Sequence, residues 1–110
     1  MIQIDMVLDS AGLLRSCRVS GHAGAGQRGS DIVCAAVSVL TRTVIQVLSG
    51  KKGVTIRGDI PGQGNFRMEV DYESEAGDFL AGVSAFLTEG LLSVSREFPD
   101  RCKVIIKSET

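Results

Sequence analysis

Between residues 66 and 72, apolar and charged side chains alternate without a break: Phe66, Met68, Val70 and Tyr72 against Arg67, Glu69 and Asp71. A period of two is what a strand requires when one face lies on a core and the other in water. A slip of one residue would turn every apolar group outward, so this pattern fixes register as well as element type. The same period runs through Ile2, Ile4, Met6 and Leu8. Asp9-Ser10-Ala11-Gly12 is turn chemistry, and Leu13 to Val19 reads as the returning strand of a hairpin. On that strand Leu13, Cys17 and Val19 share a face with Arg15, an imperfect fit. Val54 to Arg57 and Cys102 to Lys107 make two further strands, five in all.

Two stretches follow the helical period instead. Ile32 to Leu48 carries Ala35, Ala36, Val37, Leu40, Val44, Ile45, Val47 and Leu48, with Ser30 or Asp31 as its cap and Ser49-Gly50 as its end. It is apolar on more than one side, so it is expected to be covered on more than its sheet face. Asp78 to Phe98 carries a stripe from Phe79 through Val83 and Leu87 to Val94, and Pro99 stops it. The order is ββαββαβ. Paired strands between the helices imply a two-layer α+β fold, a mixed or antiparallel five-stranded sheet with two helices packed on one face. Residues 1–110 are expected to form a single domain.

Composition narrows the function. Net charge is −1 with acids and bases interspersed, and there are five aromatic residues, which argues against nucleic-acid binding. The apolar stretches carry polar breaks before the ~18 residues of a membrane span, and the first residues lack a signal-peptide pattern, so no membrane partner and a cytoplasmic location are expected. The three cysteines are too widely spaced for a Cys-x-x-Cys site, and a lone histidine does not complete a zinc set; no metal and no cofactor are expected. Each thiol therefore needs its own explanation. Cys17 and Cys102 lie on strands among apolar neighbours and read as core packing.

Cys34 differs from them. Residues 20–30 hold four glycines and the chain's single histidine, His22, twelve positions before Cys34. With Asp31 as cap, Cys34 falls in the first turn of a helix, and a helix N-terminus and a nearby imidazolium are two devices that lower a thiol pKa. The glycine loop can fold back over the helix end, and amides near Gly21 and Gly24 can serve a developing oxyanion. Asp31 has two competing uses, as cap or as orienter of the imidazole. Ser38, one turn beyond Cys34, either bonds back to the Cys34 carbonyl or contacts substrate. Cys34 itself also reads as a small hydrophobe beside Ala35 and Ala36.

Gly21-His22-Ala23-Gly24, followed by Asp31-Ile32-Val33-Cys34-Ala35-Ala36-Val37-Ser38, resembles the signature of the ribosomal-processing cysteine protease family, Prp. The resemblance implies that Cys34 is the nucleophile and His22 its base, with supporting roles for Asp31 and Ser38. It further implies a homodimer that removes the N-terminal extension of large-subunit ribosomal protein twenty-seven. Members commonly carry an aromatic residue in the middle of the glycine loop, where this chain has Ala25. Rival readings are a non-catalytic ribosome-associated peptide-binding protein and a thiol redox switch at Cys34.

Overall fold

The computed structural model describes residues 1–21, 28–58 and 65–109, with residues 28–31 described as backbone. Five strands, β1 (Ile2–Leu8), β2 (Leu14–Ser20), β3 (Val54–Gly58), β4 (Phe66–Tyr72) and β5 (Cys102–Ser108), join with α1 (Arg28–Ser49) and α2 (Gly77–Glu97) in the order ββαββαβ. The sheet runs β3-β4-β2-β1-β5. Every pairing is antiparallel except β1 with β5, which is parallel, so the sheet is mixed as the sequence pattern implied.

Register places one residue set on one face. Ile4 pairs with Val19 and Met6 with Cys17; Cys17 in turn pairs with Met68, and Val19 with Phe66. All of these are buried, and so are Val33, Val37, Val44 and Leu48 of α1 and Leu80, Leu87 and Leu91 of α2. Both helices therefore lie over the same face. Among the described residues no buried side-chain nitrogen or oxygen lacks a hydrogen bond. One such bond ties the layers together: the backbone N–H of Leu14 donates to the buried hydroxyl of Ser84 on α2, at 2.8 Å.

The misfit at Arg15 has a structural cause. Val7 pairs with Ser16 but Leu8 pairs with Leu14, so Arg15 is an extra residue in β2. A bulge of this kind lets Leu14 and Cys17 both face the core despite their odd spacing. Arg15 instead reaches the open face, where it pairs with Asp71 and, at 3.5 Å, with Glu109. The turn before it is held by Asp9, whose Oδ1 accepts the N–H groups of Ala11 and Leu13 while its Oδ2 accepts the Tyr72 hydroxyl at 2.7 Å.

Two helix expectations are corrected. α1 starts at Arg28, three residues before Asp31, so neither Ser30 nor Asp31 is its cap. A turn of 3-10 helix at Ser74–Ala76 precedes α2, which begins at Gly77. The length argument about apolar runs is corrected too. Residues Ile32–Ser49 and Ser74–Glu97 are long and apolar enough to cross a membrane, with mean hydropathies of 1.8 and 1.2, because α1 tolerates its polar breaks without losing its overall apolar character. In the fold both helices lie on the sheet. The expected cover on the outer side of α1 is not supplied by the described residues: Ile32, Val39 and Val47 are exposed.

Candidate active site

Cys34 is set by α1. Counting from Arg28 it is the seventh helical residue, two turns in, so the helix-terminus field that the cap reading gave it is largely spent by that point. Its neighbours Val33 and Val37 are buried, and Cys34, half-buried, packs against the core with its thiol partly accessible. Cys17 and Cys102 are 0% and 1% exposed. Burial pushes the Cys17 thiol up to about 12, with Asp5 adding to the effect, and burial also raises Cys102. Both strand cysteines are therefore held as inert thiols, the packing role expected of them. Cys34 is the one free thiol with access to solvent among the three.

The strand that leads toward the site ends at Ser20, and Gly21 turns the chain out of the sheet with φ +85°. The position admits no side chain, for a Cβ there would lie 2.4 Å from the Met1 carbonyl oxygen. Gly21 also donates its N–H to Asn65 Oδ1 over 3.4 Å. Because Val19 pairs with Phe66, Asn65 stands beside Gly21 at the same end of adjacent strands. His22 and Gly24 lie outside the described residues, as does the Asp31 side chain. Ser38 is half-buried on the helix one turn past Cys34. Its expected bond back to the Cys34 carbonyl is absent; Thr41 supplies the back-bonding hydroxyl, to the carbonyls of Val37 at 2.9 Å and Ser38 at 3.2 Å.

Sequence reasoning missed two participants at the root of the loop, Asn65 and the Met1 carbonyl. Neither carries a local signal, since each becomes a neighbour of Gly21 through sheet pairing alone. Among the described residues no group of three or more His, Cys, Asp or Glu side chains is placed to hold a metal ion. What the described part offers is an accessible thiol on a rigid helix and a glycine-hinged strand end from which residue 22 follows. That is a frame suited to a nucleophile and a base brought from separate elements.

The family model for cysteine protease Prp matches residues 1–103. The chain belongs to the Prp family. It is thus a cysteine protease, and its fold is shared with solved structures along nearly its whole length. A protein from Streptococcus mutans is 27% identical with a TM-score of 0.80, covering 99% of this chain and 96% of its own. The essential ribosomal processing protease Prp from Staphylococcus aureus, solved with a covalently linked product peptide and with a substrate peptide, is 20% identical at the same TM-score. There the match covers 97% of this chain and 100% of the S. aureus one. No curated protein sequence matches the chain.

Proposed function

We propose that this Prp-family enzyme is an endopeptidase that removes the N-terminal extension of large-subunit ribosomal protein twenty-seven during ribosome assembly. The observation that carries the reading is the family match across residues 1–103, within which the one accessible thiol is Cys34. The covalently linked product peptide of the S. aureus enzyme supports a covalent route. Cys34 attacks the scissile carbonyl carbon as thiolate, its proton taken by His22. The tetrahedral oxyanion is met by backbone amides near Gly21 and Gly24. Collapse expels the amine, protonated by His22, and leaves an acyl-enzyme; water activated by His22 then frees the new carboxylate and restores the thiol.

Asp31 orients the imidazole and Ser38 contacts the substrate in this scheme. The glycine hinge lets substrate binding bring His22 to Cys34, which limits stray cleavage. The enzyme acts in the cytoplasm as a homodimer.

The test uses the purified chain and the precursor ribosomal protein of the same organism. Release of the N-terminal segment by the wild type, its loss in Cys34→Ala, and a folded but inactive Cys34→Ser are expected. An uncut precursor, or cleavage undiminished in Cys34→Ala, overturns the reading.

A further inference from the structure

The open face of the sheet carries most of the strand charges, and register divides that face in two. Toward the Leu14 and Tyr72 end the charges cancel. Arg15 pairs with Asp71 and Glu109, while Arg57 lies 2.7 Å from Asp71 and 3.8 Å from Glu69. Two arginines there meet three carboxylates.

Toward the Ser20 and Gly21 end they do not cancel. Arg67 on β4 stands directly across from Arg18 on β2, and Arg18 stands across from Asp5 on β1. Like charges opposed on neighbouring strands are destabilising. Asp5 is placed by register to relieve them, but its two oxygens accept the Gln3 side-chain N–H groups at 3.3 and 3.2 Å. Arg18, exposed, makes no ion pair among the described residues. Arg67, also exposed, has Glu69 at 3.9 Å, and Glu69 is shared with Arg57. One row nearer to Gly21, exposed Lys103 on β5 lies across from Gln3. By strand spacing, Arg67 and Arg18 are about 5 Å apart at the backbone and Lys103 is about 12 Å from Arg18.

The net charge of −1 is an average over the chain and conceals this local excess. Exposed cations spread over four strands match a polyanion with charges repeated along its length better than one small ion. Aromatic side chains lie elsewhere: Phe66 is buried on the core side, Tyr72 packs against the core, and Phe79 and Phe86 belong to α2. Bases therefore have nothing to stack on, and phosphates are what this surface can hold.

We propose that the Arg67–Arg18–Lys103 end of the open sheet face binds the phosphate backbone of RNA without reading its sequence. DNA shares that chemistry; the choice of RNA rests on the ribosomal-substrate reading above. The surface lies at the strand end from which Gly21 leads out of the sheet. RNA seated there holds the chain by the same end as residue 22, so an RNA-bound ribosomal precursor is met at that end.

Fluorescence anisotropy tests the surface, with the full chain titrated into a labelled RNA duplex of about 20 base pairs at salt from roughly 50 to 200 mM. Three phosphate contacts predict that log K falls against log salt with a slope of about −2.7. Arg18→Gln, Arg67→Gln and Lys103→Gln are each expected to flatten that slope by about 0.9 and to weaken binding severalfold at the lower salt. The first two each remove one of two opposed like charges, so neither is expected to lower stability in urea unfolding. Arg96→Gln makes the same charge change on α2 and is expected to leave the slope as it was. Absence of binding at the lower salt, or a slope unmoved by Arg18→Gln and Arg67→Gln, overturns the surface. So does a slope flattened as much by Arg96→Gln. Polyglutamate of equal charge, or a DNA duplex, that displaces the label better than unlabelled RNA overturns RNA as the occupant. Precursor cleavage is scored without RNA: an uncut precursor beside intact RNA binding overturns the protease substrate, and the reverse result overturns this surface alone.

Discussion

Three thiols in one small domain have been given different surroundings, and reactivity should follow. Cys17 is sealed between β1 and β4 with its pKa pushed up to about 12, and Cys102 is sealed at the start of β5. Iodoacetamide at neutral pH is expected to add once to the folded protein, at Cys34, and three times after unfolding; peptide mass spectrometry reads both outcomes. A second residue-scale device is the bond from Tyr72 to Asp9. That hydrogen bond, together with those from Leu13 and Ala11, holds the Asp9 carboxyl below its ordinary 3.8, while donating to Asp9 raises the Tyr72 phenol above 10. A depressed carboxylate stabilises the fold above its unfolded pKa and loses that contribution as pH falls through the folded value. A raised phenol contributes below its unfolded pKa and loses this as pH rises through the folded value. Tyr72→Phe is therefore expected to be less stable than wild type between these limits. The difference should close below pH 3.8 and again well above pH 10, as followed by urea unfolding across pH.

At the scale of elements, the strand-and-helix order was legible because alternation and helical stripes are local properties of the text. What was not legible depends on pairing. The bulge at Arg15 exists because β2 must satisfy β1 on one side and β4 on the other, and no window of β2 alone contains that demand. The early start of α1 was hidden by Ser30 and Asp31, good capping residues that the helix runs through. Of the site, Cys34 was legible as the odd cysteine and Gly21 as part of the glycine loop, while Asn65 had to wait for the sheet. Two substitutions probe such non-local links. Ser84→Ala leaves the buried Leu14 N–H without its acceptor and is expected to cost ~1–3 kcal/mol in urea unfolding. Gly58→Ala places a methyl 2.1 Å from the Arg67 carbonyl at φ +146°, where both space and conformation oppose it. A loss above ~1 kcal/mol is expected, read by the same measurement.

The whole molecule has two unlike outer surfaces. The open side of the sheet is covered by ion pairs such as Arg57 with Asp71 at 2.7 Å, all of them water-exposed and individually weak. The helical side leaves Ile32, Val39, Val47 and Phe86 exposed. Between them the core is closed by a strand order in which β1, the first strand of the chain, lies between β2 and β5. A chain ending before Cys102 would leave one edge of β1 without its ladder and Ile2 and Ile4 without their parallel neighbours. Such a truncation is expected to lose cooperative unfolding by circular dichroism. The topology also sets a clock. A polypeptide emerges from its N-terminus, so β1 is made first and stays open on one side until the last strand has been synthesised. The Cys34 thiol can be present in a nascent chain well before the sheet beneath it is complete. An enzyme built this way completes its sheet only once β5 has been synthesised.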